Sequence, residues 1–308
     1  MHDLNTAFIF PGQASQKVGM GLELFQNTEI GKKYYDEAND IMEVDIQNIS
    51  FNGPEEQLTQ TQYTQPAIYI VSVILGELLL EKGFKPAAAA GHSLGEYSAL
   101  TIGKAFDFKT GLKLVKIRAE NMQKAGKIQN GTMAAIIGIS DDKILQICKQ
   151  CNSGGVAVPA NFNTPGQIVI SGNVDAVEFV MEEAKRSGAL KAIKLNVSGA
   201  FHSPLMSPAR ESLAEILNSI EIQDTVIPIY SNVSANPVTK NNDILNRLIE
   251  QLEMPVLWCK TITNMIKNNI DNFVEVGPSR VLQGLNRRID RSVNISGIEN
   301  LDQVTQYV

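Results

Sequence analysis

The stretch that most constrains this fold lies between residues 131 and 197. The alternation of residues 131–139 predicts a strand. Residues 141–150 read as a helix, and 155–160 and 167–171 as strands flanking the turn Asn163-Thr164-Pro165-Gly166. Residues 175–187 read as a helix and 189–197 as a strand. A β-α-β-β-α-β run is the ferredoxin-like order. Small residues flank it, Gly126 and Gly131 before and Ser198-Gly199 after. The unit therefore reads as a small domain, 128–197, inserted into a larger one made of 1–127 and 198–308.

The larger part alternates strands with helices. Residues 6–10 form an apolar strand that breaks into a loop at Pro11-Gly12-Gln13-Ala14-Ser15-Gln16. Gln65-Pro66 opens an apolar helix to Glu81, with the proline in the first turn, where its missing N–H costs nothing. Its apolar residues surround the axis, which predicts a buried central helix. The apolar run 67–80, broken by Ser72, Gly76 and Glu77, is too short to span a bilayer. Residues 87–90 are small and lead into Gly91; 98–102 and 109–125 are helical. After the insert come a helix at 208–219 capped by Ser207, a strand at 226–231, helices at 244–252 and 258–268, and a strand at 272–276. Gly277-Pro278 opens a last helix to Arg288. This order predicts the α/β class with a mostly parallel sheet.

Composition excludes several functions. A net charge of −6 argues against nucleic acid as the main partner. Cys148, Cys151 and Cys259 cannot all pair, and the C-x-x-C spacing lacks the second ligand pair of a zinc site. They read as ordinary intracellular thiols. No metal site, nucleotide loop or cofactor motif is visible. Residues 1–7 lack the basic and apolar regions of a signal peptide, so the expectation is a cytoplasmic protein with no membrane partner.

Gly91-His92-Ser93-Leu94-Gly95 is a G-x-S-x-G pattern between a strand-like run and a helix, as a nucleophile elbow requires. In isolation, the alternative is a serine capping an ordinary helix. A serine nucleophile needs a base. Of the three histidines, His2 sits beside the terminus, and the side chain of His92 must point away from its neighbour Ser93 at a tight turn. His202, in a small-residue loop after the insert, is the better partner. Arg118 faces the apolar side of its helix with Leu114, Val115 and Met122, and no carboxylate lies at helical spacing. It serves either a distant structural salt bridge or as a fork for a substrate carboxylate. The backbone N–H of Gln13 could complete an oxyanion hole.

These pieces occur together and in order: FPGQASQ from Phe10, TQPA from Thr64, GHSLGEYSAL from Gly91, Arg118, GAFHSPLM from Gly199, SNV from Ser231, Gln251-Leu252 with Pro255-Val256 and Trp258, and EVGP from Glu275. The set resembles the malonyl-CoA:acyl-carrier-protein transacylases and the wider family of acyltransferase domains. The resemblance implies an α/β-hydrolase-like large domain with the small domain between elbow and histidine loop. It implies Ser93 as acylated nucleophile and His202 as base, oriented by the backbone carbonyl of Gln251. It implies the N–H groups of Gln13 and Leu94 as oxyanion hole, and Arg118 as the partner of the malonyl carboxylate. Phe201 before the histidine goes with malonyl rather than branched units. The reaction implied is ping-pong transfer from malonyl-CoA to the phosphopantetheine thiol of holo acyl carrier protein. Malonyl-CoA is a substrate; no cofactor is implied, and a monomer is expected.

Two positions depart from the pattern. Ala14 stands where the family usually has glycine, and Leu257 where relatives often carry a polar or basic residue. Carrier proteins of this pathway are acidic, so docking needs a local positive patch; Lys191, Lys194, Arg280, Arg287 and Arg288 are the candidates. Rival readings are a stand-alone polyketide acyltransferase and a serine thioesterase, which gives Arg118 no role.

Overall fold

The computed structural model describes residues 5–151 and 155–307; His2 lies outside the described residues. The chain opens with β1 (Thr6–Phe10), then α1 (Leu22–Asn27), α2 (Glu29–Met42), α3 (Ile46–Asn52), α4 (Glu55–Leu58), α5 (Thr61–Glu81), β2 (Ala88–Gly91), α6 (Gly95–Ile102) and α7 (Phe108–Ile128). The insert follows as β3 (Gly131–Ile137), α8 (Asp141–Lys149), β4 (Ala157–Thr164), β5 (Gln167–Asn173), α9 (Val174–Arg186) and β6 (Lys191–Lys194). A 3-10 turn (Pro204–Met206) leads to α10 (Ser207–Leu217), β7 (Ile229–Tyr230), β8 (Pro237–Val238), α11 (Asn241–Gln251), α12 (Trp258–Lys267), β9 (Asn272–Val276), α13 (Val281–Ile289), β10 (Asn294–Ile298) and α14 (Leu301–Tyr307).

The large sheet has the order β10-β9-β1-β2-β7-β8. Its first five strands are parallel, and β8 closes the edge antiparallel to β7. The central strand β1 is buried along its whole length, as a strand covered on both faces must be. The chain leaves β1 toward β2 on one side and β9 lies on the other. This creates a crevice at the carboxyl ends of the strands, where open α/β sheets place their ligands.

Residues 131–194 form a separate four-stranded antiparallel sheet, order β4-β5-β3-β6. This is the ferredoxin-like arrangement. Ala134 and Ile136 of β3 and Ile168 and Ile170 of β5 face α8 and α9 and make their own apolar core with Ile144, Ile147, Val177 and Val180. The alternate residues Met133, Ala135 and Val169 face the other way, toward the large domain. One face of the small sheet thus closes its own core and the other roofs a cavity.

Several sequence expectations need correction. Helix α5 begins at Thr61, so Pro66 lies inside it rather than in its first turn. The helix survives because tertiary burial on nearly all sides outweighs one lost hydrogen bond. At 21 residues it is long and apolar enough to cross a membrane by length and composition, contrary to the estimate from the run 67–80, and it is packed inside the protein. Ser207 is the first residue of α10, not its cap; Ser203 instead caps the preceding 3-10 turn through Leu205 N. Strand β4 runs to Thr164, leaving Pro165-Gly166 as a two-residue loop. Gly277-Pro278 does not open a helix: α13 starts at Val281, where the Glu275 carboxylate accepts the N–H groups of Leu282 and Gln283, each at 3.0 Å. It is not the last helix, since β10 and α14 follow. Helices α1–α4, formed by a segment that carries few sharp signals, went unread.

Candidate active site

The elbow forms where β2 turns into α6. Gly91 and Gly95 are required by close approach rather than by dihedral angle: a Cβ on Gly91 overlaps the backbone of Gly95, and one on Gly95 overlaps the Phe10 carbonyl. Ser93 between them has φ 52°, the strained left-handed backbone that a nucleophile elbow requires. His202 also sits at positive φ, 56°. Asn232 clamps the turn from the loop after β7. Its Oδ1 accepts Ser93 N–H and its Nδ2 donates to Gly91 O, each at 2.6 Å.

The polar contacts fix every proton. The Arg118 guanidinium only donates, and its Nη2 lies 3.0 Å from Ser93 Oγ. Ser93 therefore accepts from Arg118 and sends its own hydrogen to His202 Nε2, 2.8 Å away. That makes Nε2 the acceptor and Nδ1 the protonated nitrogen. Nδ1–H faces two carbonyls, Gln251 O at 2.8 Å and Met254 O at 3.2 Å. The histidine is neutral: burial, then the nearby Arg118 charge, push its pKa down to about 3. A carbonyl pair occupies the place that an acid holds in a Ser-His-Asp triad.

Arg118 is fully buried on α7. Its Nη1 donates to Gln65 Oε1 at 2.6 Å and its Nη2 to Gln251 Oε1 at 3.0 Å. Among the described residues no carboxylate lies within ion-pair distance, which removes the structural-salt-bridge reading of this arginine. Its Nε has no partner. A buried guanidinium held by two neutral amides and a hydroxyl, beside the Tyr97 ring at 5.5 Å and with three of its five N–H groups engaged, is poised for an anion.

Ser93, His202, Gln13, Leu94 and Phe201 all line one cavity of about 280 Å³ between the two sheets. Arg118 and Gln251 lie behind its wall and reach it through Ser93 and Gln65. Among the described residues, neither the Gln13 nor the Leu94 backbone N–H donates to a protein acceptor. The opposite wall is apolar: Met133 and Val169 of the small sheet, Leu195 and Val197 just after β6, and Leu282 and Leu285 of α13. His92 turns away from Ser93, as expected, and bonds Asn163 Oδ1 of the small domain through Nε2 at 2.9 Å. It also rests against the Trp258 ring, 5.6 Å between centroids.

Five participants escaped sequence reasoning as individuals: Asn232, Glu96, Asn163, Met254 and Gln65. The first two lie inside the strings SNV and GHSLGEYSAL, so the signal was a motif without an assigned task. Asn163 was read only as part of a turn. Among the described residues no cluster of metal-ligating side chains occurs.

The model of the acyl transferase domain family matches residues 7–303. The malonyl CoA-acyl carrier protein transacylase of Bacillus subtilis (strain 168) is 42% identical over 299 residues, spanning 97% of this chain and 94% of that protein. The crystal structure of an acyl carrier protein S-malonyltransferase from Vibrio cholerae superposes with a TM-score of 0.95 at 38% identity, covering 99% and 100% of the two chains. A malonyl-transacylase solved in complex with a type II polyketide synthase acyl-carrier protein gives 0.93 at 37% identity, with 98% of each chain covered. A family match over almost the whole length, joined to the same two-sheet fold, means that this chain belongs to the acyl transferase domain family.

Proposed function

We propose that this protein transfers a malonyl group from malonyl-CoA to the phosphopantetheine thiol of an acyl carrier protein, supplying extender units for fatty acid synthesis. The observation that carries the reading is the buried Arg118 guanidinium beside the Ser93–His202 pair, without a carboxylate partner of its own. A plain acyl group leaves the guanidinium without an anion in its fork, and a malonyl carboxylate fills it.

Ser93 Oγ attacks the thioester carbonyl while His202 Nε2 takes its proton. The N–H groups of Gln13 and Leu94 hold the oxyanion; such donors are typically worth about 3 kcal/mol each. Collapse breaks the C–S bond, and His202 returns the proton to the departing CoA thiolate. The carrier thiol then gives its proton to His202 and attacks the malonyl-serine ester, and Ser93 leaves with the proton. The Arg118 fork exchanges its contact with Ser93 Oγ for the malonyl carboxylate, and Phe201 shapes the adjoining wall. Residues 1–127 with 198–308 act as the catalytic domain and 128–197 as the small domain that roofs it, in a monomeric cytoplasmic enzyme without a cofactor.

The competing carrier is that of a polyketide synthase, since one similar structure holds such a protein. Intact-protein mass after brief mixing with malonyl-CoA tests the main reading. A malonyl adduct that is absent in Ser93→Ala, forms poorly from acetyl-CoA and disappears on adding holo carrier protein is the expected outcome. Free malonate accumulating with CoA, and no transfer to the thiol, identifies a thioesterase instead.

A further inference from the structure

Three charged side chains among the described residues are deeply buried: Arg118, Glu275 and Glu96. Glu275 holds the start of α13. Glu96, in the first turn of α6, has no task in the acyl-transfer steps. Its Oε2 accepts from Gln251 Nε2 at 2.7 Å and from Asn232 N–H at 3.1 Å. The other end of the same Gln251 amide accepts Arg118 Nη2 at 3.0 Å. The amide cannot be turned round, because a guanidinium only donates and Nε2 also donates to Ser93 O at 3.0 Å. A single amide therefore joins a buried carboxylate to a buried guanidinium. Glu96 is near enough to balance the arginine charge and too far to occupy its fork.

Around Glu96, α11 contributes Gln251, the segment after β7 contributes Ser231 and Asn232, and α7 contributes Arg118. Tyr97 follows it on α6. Arg118 is the charged group acting on it from these elements. With Ser93 free, guanidinium and carboxylate cancel. A malonyl group on Ser93 brings a second negative charge into the same enclosed site. Two carboxylates sharing one buried cation do not both stay ionised readily.

We propose that Glu96 is the charge-compensating residue of the acyl site, ionised while Ser93 is free and protonated while Ser93 carries malonyl. Malonyl loading thus draws a proton from solvent onto the Glu96 carboxylate. Burial already pushes this group up to about 7, so near pH 8 it is ionised while Ser93 is free and a modest further rise makes it take up a proton. The acylation step itself is proton-neutral, since the Ser93 proton leaves with the CoA thiol; net uptake belongs to another group. The inference rests on the reading that Arg118 receives the malonyl carboxylate.

The test is stopped-flow mixing with malonyl-CoA near pH 8 in weak buffer with a pH indicator, scaled to acyl-enzyme measured by intact mass. Wild-type protein is expected to take up more than about half a proton per malonyl-enzyme and none per acetyl-enzyme. Glu96→Gln is expected to form malonyl-enzyme without uptake, and Glu96→Asp, which keeps a carboxylate, to retain it. Equal proton exchange for the two acyl groups in the wild type overturns the proposal, as does uptake that persists in Glu96→Gln. The wild-type comparison decides the matter even if both variants fold poorly. Loss of the underlying Arg118 reading looks different: malonyl and acetyl then load Ser93 equally well. Malonyl-selective loading with no excess uptake defeats the Glu96 role alone.

Discussion

Arg118 illustrates how a single residue can be read from sequence and still need the structure. Its position on the apolar face of a helix signalled a buried cation, but the helix pattern could not say whether a distant carboxylate waited for it. The fold supplies Gln65, Ser93 and Gln251 instead. Arg118→Ala should therefore lower malonyl transfer and relax discrimination against acetyl-CoA by about a hundredfold, the scale set by leaving one member of a buried pair alone. Unchanged selectivity in steady-state competition between the two thioesters defeats the assignment. His202 makes a second prediction. Its pKa lies well below the ordinary histidine value, so the neutral, base-competent form persists as pH falls through 6.5. With acetyl-CoA, which brings no carboxylate, and Glu96→Gln protein, which removes the other carboxylate of the site, kcat/KM should stay flat from pH 8 to about 5, because this parameter reports the free enzyme. A decline centred near 6.5 contradicts the geometry. Ala14 marks a family departure with a physical reason. Its φ is 81°, the left-handed region that glycine enters freely, so the strain lies in the backbone rather than in methyl crowding. Ala14→Gly should stabilise the protein by up to about 1 kcal/mol, the left-handed penalty less the entropy glycine adds to the unfolded chain. Chemical denaturation of the two proteins measures it.

At the level of elements, the legible parts were those with strong period or sharp punctuation. Strands β1, β3 and β9 and helices α7, α9 and α12 were placed within a few residues, because each is a periodic run with clear ends. The elbow and histidine loop were legible as motifs. The four helices from 22 to 58 were not, nor were β10 and α14, whose short segments acquire their form from packing. The Gln251 side chain was invisible as well: sequence suggested its backbone carbonyl, whereas its amide links Arg118, Glu96 and Ser93 through tertiary contacts alone. Two of the glycines that flank the insert, Gly126 and Gly199, face each other. A Cβ on Gly126, at the end of α7, overlaps the Ser198 carbonyl and meets Gly199 Cα, so the outgoing and returning chains cross in backbone contact. Gly126→Ala must force them apart. It should cost about 1–3 kcal/mol, the usual penalty of overpacking, and reduce acyl transfer, because His202 follows Gly199 by three residues. A variant with wild-type urea midpoint and rate shows that the crossing tolerates separation.

Across the whole molecule, a net charge of −6 must be reconciled with the proposed carrier-protein partner, which the resemblance implies is acidic. The answer lies in which of the candidate cations remain free. Of the five candidates, Lys194 is paired with Glu178 at 2.9 Å and Arg280 with Glu299 at 3.2 Å. Arg288 donates to Gln167 Oε1 at 3.0 Å, which ties α13 to the small-domain hairpin at the cavity edge. Lys191 and Arg287 are exposed and enter no ion pair among the described residues. Arg287 shares α13 with the cavity-lining Leu282 and Leu285 but at helical spacing falls on the opposite, outward face of that helix, where a carrier docking over α13 would meet it. Charges of this kind govern encounter more than final affinity. Arg287→Glu should lower kcat/KM for holo carrier protein about tenfold at low salt, with the deficit shrinking as ionic strength rises and the screening length falls to about 8 Å. Acylation of Ser93 by malonyl-CoA should change by less than about threefold, because the reacting groups lie deep in the cavity beyond this helix face. A salt-independent deficit, or one as large for malonyl-CoA as for the carrier, places the docking surface elsewhere.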